Sequence, residues 1–155
     1  MITQPEPNLT FPTVRARNLL RELITLPADL RGERNLGLIA FQQWQQRLID
    51  TWLPFAQSLE QARPGLCYYE FPVIQSLNVI ARTFINEGMR AGIPDPTARE
   101  RTITLYTDKE AFRRSLGLLR EETIYAVLFD RQGRVYWRAE GEFSAEKGDS
   151  LQTAL

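Results

Sequence analysis

The alternation of apolar and polar residues predicts a strand, a helix and a second strand in the first half of the chain. Residues 36–41 are apolar without interruption, which is typical of a strand buried on both faces of a sheet. From residue 42 to about residue 62, apolar side chains recur three or four positions apart, as on one face of a helix. Pro54 lies inside this segment, and because proline lacks a backbone donor we expect one kinked helix. The aromatic-rich residues 66–71 predict the next strand.

A second helix and a third strand are predicted to follow. Asn78 is a suitable helix cap, and we expect the helix after it to turn Ile80 and Phe84 inward and to end at Gly88 or Gly92. Residues 93–96 predict a loop, and residues 101–106 alternate in polarity as in a strand with two unlike faces. Strands that alternate with helices in this way indicate a parallel α/β core.

The C-terminal third predicts a short helix, a hairpin and a closing helix. Thr107 and Glu110 have the spacing of a capping box at the start of the short helix. Residues 124–129 and 134–140 predict antiparallel strands, and Gly133 can supply the positive φ of a bulged turn. Ser144 begins the last helix. The predicted fold class is therefore α/β, with a mixed central sheet of parallel strands plus a C-terminal antiparallel hairpin, flanked by helices.

Length and composition fit one compact domain. The chain has 155 residues, of which 43% are hydrophobic and 25% charged, a balance that supports a single core. We expect residues 1–10 to form a flexible N-terminal tail and residues 11–155 to form the domain. No apolar run approaches the roughly 20 residues that span a bilayer, and residues 1–8 do not have the pattern of a secretory signal. The sequence therefore predicts a cytoplasmic protein that does not span a membrane.

The residue types that are missing exclude several chemistries. The sequence has no histidine, and Cys67 is its only cysteine. One chain therefore has neither a CxxC pair nor a Cys/His cluster for a metal, and we expect no metal, no cofactor and no catalytic residues. Nineteen basic side chains balance nineteen acidic ones, so no overall field attracts nucleic acid.

The order of the predicted elements, together with particular residues, resembles the thioredoxin-like superfamily. Residues 38–41 are similar to the strand that precedes the active helix of that superfamily, and Pro54 lies where that helix carries its kinking proline. By this resemblance the two redox cysteines would fall at Gln46 and Ile49, and Ile124 stands in place of the cis-proline beside them. The resemblance therefore implies the fold without its dithiol chemistry, and a trans peptide bond before Ile124.

A narrower likeness rests on two segments. Residues 51–55 (TWLPF) and 127–141, above all 129–138 (FDRQGRVYWR), are similar to the family of mitochondrial assembly factors for ATP synthase. The hairpin also resembles that of peroxide-reducing redoxins. Such redoxins carry a peroxidatic cysteine at the start of the first long helix, whereas Cys67 lies on a later strand. The likeness therefore implies a non-catalytic assembly or chaperone module that binds proteins.

The positions around the missing dithiol form the candidate interaction surface. Its residues are Gln43, Trp44, Gln45, Gln46, Arg47, Thr123 and Ile124. A helix start offers free backbone donors, and tryptophan is a residue type that anchors interfaces. The partner would be a protein or peptide whose identity the sequence does not give. The alternatives are a solvated first turn with Trp44 packed beneath it, or an anion bound at the helix start.

Cys67 carries the alternative function. On a buried strand, a cysteine behaves as a small apolar residue. A one-cysteine redoxin, either a peroxidase or a reductase, would instead use the Cys67 thiol together with a resolving thiol from another molecule. A third hypothesis is a homodimer formed through the edge strand or the hairpin.

Overall fold

In the computed structural model, which describes residues 2–3 and 8–155, six strands form a central sheet and two more form a separate hairpin. The strands are β1 (Ile2–Thr3), β2 (Val14–Arg17), β3 (Leu23–Leu26), β4 (Arg34–Ala40), β5 (Leu66–Gln75), β6 (Leu105–Thr107), β7 (Tyr125–Phe129) and β8 (Val135–Glu140). The helices are α1 (Gln46–Asp50), α2 (Leu53–Ala62), α3 (Val79–Gly92), α4 (Pro96–Arg101), α5 (Lys109–Leu116) and α6 (Ala145–Ala154), and a short 3-10 turn (Gln43–Gln45) precedes α1.

Strand β4 lies in the middle of the central sheet, whose order is β1-β8-β7-β4-β5-β6. It is parallel to β5 and antiparallel to β7, while β6 pairs in parallel with β5, and β8 pairs antiparallel with β7. These pairings confirm the predicted mixed sheet and its C-terminal hairpin. Gly133, at a φ of +89°, lies in the hairpin turn, and the register of the two strands shifts between Leu128 and Phe129, as in a β-bulge.

Apolar cores cover both faces of the sheet, which explains the unbroken apolar run of β4. One core includes Leu36, Leu38, Ile49, Trp52, Trp137 and Leu151, and the other includes Phe11, Ile39, Phe71, Phe112, Leu116 and Phe129. Gly37 is required where β4 passes between two rings. A Cβ atom at this position would lie 2.7 Å from the ring of Phe71 and 3.1 Å from that of Phe129.

The segment predicted as one kinked helix consists instead of two helices. Helix α1 ends at Asp50 and α2 begins at Leu53, with Pro54 in its first turn. Because Pro54 has no N–H group, the carbonyl of Asp50 cannot receive the donor that would continue the helix. The first turn of a helix tolerates proline, since its amides have no partner within the helix.

The apolar residues at the start of α3 face solvent, contrary to the prediction. Ile80 and Phe84 were expected inward, and their exposed fractions are 84% and 81%. The predicted cap is correct, because the side chain of Asn78 accepts from the amide of Ala81, and the helix ends at Gly92, one of the two predicted positions. Periodicity identifies an apolar face of a helix, but it does not reveal whether another element covers that face.

The boundaries around β6 also differ from the prediction. Arg101 ends α4, so that β6 begins only at Leu105, and α4 occupies part of the predicted loop and strand. The predicted capping box of Thr107 is wrong. Asp108 caps α5 instead, since its Oδ1 accepts from the amides of Glu110 and Ala111 at 3.0 and 3.2 Å.

Part of the predicted N-terminal tail pairs with the central sheet. Ile2 and Thr3 pair with β8, and Thr10 forms a bridge with Arg134. Residues 1 and 4–7 lie outside the described residues, and the division of the chain at residue 10 stays a prediction. Within residues 2–3 and 8–155, no helix combines the length and the apolar character that crossing a membrane requires.

Candidate functional site

The turn between β4 and α1 is held by the side chain of Gln45. Its Oε1 accepts from the amides of Phe41 and Gln42 at 2.8 and 3.2 Å, and its Nε2 donates to the carbonyl of Glu121 at 2.6 Å. Gln45 is fully buried. The candidate interaction surface predicted from the sequence includes Gln45, but in the structure this residue lies beneath that surface and supports it.

The segment around Glu121, which contacts this turn, is held by ion pairs with helix α5. Lys109 Nζ lies 3.0 Å from Glu121 Oε1 and 3.3 Å from the carbonyl oxygen of Phe41, while Arg113 Nε lies 3.7 Å from Glu121 Oε2. The carbonyl of Glu121 accepts from Gln42 as well as Gln45. Glu121 therefore connects the turn before α1 to helix α5 through both its main chain and its side chain.

Trp44 stands on the outer side of the turn with 48% of its surface exposed. Its Nε1 donates to Oε1 of Gln42 at 2.9 Å, and the guanidinium carbon of Arg47 lies 5.5 Å from the centre of its ring. Gln43, Gln46 and Arg47 are exposed as well. The indole is thus accessible to solvent, and its contacts with Gln42 and Arg47 orient it. It is not packed beneath the turn, as the alternative interpretation supposed.

Gln46 occupies the position where the resemblance places the first redox cysteine. Its Nε2 donates to Asp50 Oδ1 at 2.9 Å and to Glu70 Oε1 at 3.1 Å. Ile49, at the second cysteine position, is buried in the core that contains Trp52. An amide and an alkyl group therefore stand where a dithiol would lie, and neither is a nucleophile.

Glu70, on β5, is a carboxylate that accepts a hydrogen bond from Gln46 at this edge of the sheet. Burial raises the pKa of Glu70, and the negative charge of Asp50 acts in the same direction, while the hydrogen bond from Gln46 and the charge of Arg101 lower it. The partial burial of Glu70 is the largest of these effects, and no cation among the described residues forms an ion pair with its carboxylate. Ionised Glu70 is therefore an incompletely compensated charge.

The two remaining predicted residues, Thr123 and Ile124, lie immediately before β7. Ile124 is fully buried, and the peptide bond between Thr123 and Ile124 is trans, as the resemblance implied. Thr123 is half-buried. The structure thus brings this segment to the same edge as α1, but only Thr123 of the pair is accessible to a partner.

A groove of about 820 Å³ begins at Gln43 and Gln46 and runs between α1, the end of β5 and α3. Its lining includes Phe41, Glu70, Ile74, Phe84, Ile85 and Met89. Among the described residues that line it, Glu70 is the only charged one. Its volume lies within the roughly 300–1,000 Å³ of ligand pockets in general.

The contribution of α3 to this groove was missed in the sequence. The available indication was the set of apolar residues at the start of the helix, which was interpreted as a buried face. Periodicity alone does not distinguish a helix packed on a core from one that forms the open wall of a groove.

Cys67 lies apart from the groove. It is half-buried on β5 and packs against the core that contains Phe71, and because side chains alternate along a strand it points away from the face of Glu70. Burial raises the pKa of the Cys67 thiol, and the charge of Glu60 adds to this effect, against smaller opposing effects of nearby arginines. Its thiolate, the reactive form, is therefore disfavoured.

The described residues contain no group of three or more histidine, cysteine, aspartate and glutamate side chains arranged to hold a metal ion. The carboxylates of Asp50 and Glu70 share the donor Gln46, and no third acidic side chain joins them in such a group.

Comparison with solved structures identifies the fold. The chain matches the pneumococcal exposed lipoprotein thioredoxin Etrx1 from Streptococcus pneumoniae strain TIGR4 with a TM-score of 0.54 and 14% identity, over 92% of this chain and 98% of that one. It matches a DsbF homologue from Corynebacterium diphtheriae with a TM-score of 0.61 and 14% identity, over 99% and 92%. It matches BsSco, a member of the Sco family of cytochrome c oxidase assembly proteins, with a TM-score of 0.61 and 11% identity, over 98% and 96%.

These matches give the chain a thioredoxin-like fold. No protein-family model matches the sequence, and no curated protein sequence matches it. Identities of 11–14% support the fold alone. Several neighbours are described as thiol:disulfide interchange proteins, whereas this chain has a single cysteine.

Proposed function

We propose that this chain is a non-catalytic thioredoxin-like protein that binds a polypeptide partner at the vacated active-site edge. The partner would contact Gln43, Trp44, Gln46 and Arg47, with Thr123 at the border, and continue into the groove beside them. The observation that carries this proposal is the hydrogen bond of Gln46 to Glu70 at a position where redox chemistry requires a thiol. An amide at a helix start recognises polar groups but does not attack a disulfide.

The apolar wall of the groove supports this proposal. Phe84 lines the groove and is 81% exposed, and Ile80, one turn earlier on α3, is 84% exposed. No residue of α3 is fully buried. Contiguous exposed apolar surface of this kind marks interaction sites, since it is costly to leave in water. Trp44, which is 48% exposed and next in sequence to Gln43 of the groove lining, supplies an aromatic anchor.

Glu70, the one charged side chain among the described residues that line the groove, suggests which polypeptide would fit. A partly buried carboxylate is costly unless a cation pairs with it, and among the described residues only the amide of Gln46 donates to the carboxylate of Glu70. A lysine or arginine of the partner, flanked by apolar residues, would satisfy the carboxylate and fill the groove. Peptides that bind here should therefore combine one basic residue with apolar neighbours.

An assembly or chaperone role and a cytoplasmic location are the finer parts of the proposal. The assembly or chaperone role is inferred from the likeness of residues 127–141 to the assembly factors for ATP synthase. At the level of the fold it is supported by the match to BsSco, which belongs to a family of assembly proteins.

A second copy of this chain is the alternative partner, and light scattering after size exclusion would detect it.

The proposal is tested with peptides selected on the wild-type protein from a random display library. We expect Trp44→Ala and Arg47→Ala each to weaken binding of the selected peptides, Trp44→Ala by at least tenfold, because anchor residues contribute about 2 kcal/mol or more. Both variants should keep the unfolding midpoint of the wild type. Leu23→Ala is the matched control, since Leu23 is as exposed as Trp44 but lies on β3, outside both the candidate interaction surface and the groove lining.

Two results would contradict the proposal. Equal loss of binding in the Leu23→Ala control would make the interaction non-specific. Unfolding of the Trp44→Ala or Arg47→Ala protein would make these residues structural.

The alternative is a one-cysteine redoxin that acts through Cys67. The partial exposure of the thiol favours it, and the raised pKa of Cys67 opposes it. Peroxide would oxidise the thiolate to a sulfenic acid, with loss of water from the peroxide, and a thiol of another molecule would then form a disulfide. Intact mass after mild peroxide treatment tests this alternative, because an unmodified protein excludes it.

A further inference from the structure

A second cavity, of about 310 Å³, lies on the other side of α3 from the groove. Its lining consists of Arg17, Asn18, Leu19 and Arg21 from the β2–β3 hairpin and Thr83, Asn86, Glu87 and Arg90 from α3. Three guanidinium groups and one carboxylate leave two uncompensated positive charges. This contrasts with the net charge of zero for the whole chain.

Hydrogen bonds within the turn between β2 and β3 hold the backbone that carries one of these guanidinium groups, that of Arg21. The buried side chain of Asn18 accepts from the amides of Leu20 and Glu22 at 2.9 and 3.0 Å and donates to Glu22 Oε1 at 2.8 Å. Within this turn, Arg21 has a φ of +67°, which is unfavourable for a residue with a side chain. Such a conformation persists only where the surroundings enforce it, and it often marks a functional site.

The guanidinium of Arg21 orients Glu87, the only carboxylate among the described residues that line the cavity. Its Nε and one terminal nitrogen donate to the two oxygens of Glu87, each at 2.8 Å. This hydrogen bond lowers the pKa of Glu87, and the charges of Arg90 and Arg99 act in the same direction. Glu87 is therefore ionised and already paired, and one guanidinium of the three is neutralised.

Arg17 and Arg90 have no such partner. Arg17 donates to the carbonyl of Arg21 at 3.0 Å, and neither Arg17 nor Arg90 forms an ion pair with a carboxylate among the described residues. The Nε of Arg90 is buried and has no hydrogen-bond acceptor there. Burying a hydrogen-bond donor without an acceptor costs free energy, and in native structures the large majority of buried donors have a hydrogen-bond partner.

We propose that this cavity binds a phosphate-like oxyanion, with Arg17 and Arg90 as its ligands and Arg21 oriented beside them by Glu87. Two uncompensated guanidinium groups match a dianion in charge, and guanidinium donors match the oxygens of a phosphate in geometry. The site is separate from the proposed polypeptide groove, because residues 83, 86, 87 and 90 lie on one face of α3 and residues 84, 85, 88, 89 and 92 on the other.

The test is a titration of the full chain with inorganic phosphate at constant ionic strength, followed by NMR of the arginine Nε–H groups and by calorimetry. We expect saturable binding that shifts the Nε–H signal of Arg90. Arg90→Gln and Arg17→Gln should each weaken binding about tenfold or more, because a charge-assisted hydrogen bond is lost. Arg15→Gln is the matched control, since Arg15 is an exposed arginine two residues from Arg17 on β2 that does not line the cavity.

A second titration with O-phosphoserine distinguishes the source of the group. Tighter binding than inorganic phosphate supports an oxyanion carried by a larger molecule, and equal affinity supports free phosphate. The proposal is overturned if phosphate does not saturate, if acetate at the same ionic strength binds equally well, or if Arg15→Gln weakens binding as much as Arg90→Gln. Unfolding curves of the variants ensure that the comparison is between folded proteins.

Discussion

The side-chain amide of Gln45 donates to the carbonyl of Glu121 across 2.6 Å, and this hydrogen bond joins the turn before α1 to a segment 76 residues later. The same side chain accepts from the amides of Phe41 and Gln42. One buried glutamine therefore satisfies three main-chain groups at the edge where the resemblance places the reactive thiols. The candidate surface rests on this support.

The first prediction concerns that support. Gln45→Ala should lower the free energy of unfolding by about 2–3 kcal/mol, since each buried polar group left without a partner costs about 1–3 kcal/mol. Gln43→Ala, two positions away on the exposed side, should change stability by less than about 0.5 kcal/mol. Urea denaturation of the three proteins makes the comparison. Equal stability of the two variants would show that the Gln45 bonds contribute nothing.

The second prediction is a pH dependence that Glu70 causes. Burial raises the pKa of Glu70 in the folded protein above its ordinary value of 4.5, so the folded state binds more protons than the unfolded state just above that pH. The contribution of this group to stability is complete below the unfolded pKa and is lost as pH rises through the folded pKa.

Glu70→Gln removes this titration and keeps an amide that can bond to Gln46. The variant should therefore become more stable relative to the wild type as pH rises from 4 to 7. Unfolding free energies measured across this range test the prediction, with the exposed Glu122→Gln as control. A constant difference between Glu70→Gln and wild type at all pH values would contradict it.

The third prediction concerns Cys67. Because burial raises the pKa of its thiol, iodoacetamide should alkylate Cys67 in the folded protein more slowly than it alkylates free glutathione at pH 7.5. The rate should increase towards that of glutathione when the protein is unfolded in urea. Mass spectrometry over time measures both rates. Faster alkylation in the folded state would indicate an activated thiol and favour the redoxin alternative.

The fourth prediction tests the exposed face of α3. Phe84→Ser should change the free energy of unfolding by less than about 0.5 kcal/mol, because the ring of Phe84 is largely in solvent. Phe112→Ser, a substitution of the same residue type in the core, should cost about 3 kcal/mol or more. If Phe84→Ser destabilises the protein as much as Phe112→Ser, α3 packs on the core and the groove is closed.

Much of the fold could be predicted from local patterns. The unbroken apolar run of residues 36–41 indicated the central strand, because burial on both faces of a sheet requires consecutive apolar residues. Residues 124–140 with Gly133 indicated the hairpin, because a turn with positive φ favours glycine at a defined position. The absence of a dithiol followed from counting cysteines. The edge around Gln46 was found from the resemblance to a known arrangement.

The rest depended on contacts between distant residues. Pattern alone did not reveal that Gln45 points inward, because its partner, Glu121, lies far away in sequence, in the loop between α5 and β7. It did not reveal that α3 leaves Ile80 and Phe84 uncovered, since a helix has the same periodicity whether its apolar face meets a core or a groove.

The sequence by itself determined the order of the main strands and helices and excluded thiol exchange within one chain, because periodicity and residue counts are local or additive properties. Tertiary structure alone decided that Glu70 is the one charged side chain among the described residues that line the groove, and that Arg17 and Arg90 line the same cavity. Desolvation and charge pairing depend on which residues become neighbours in space, and these neighbours come from segments far apart in the chain.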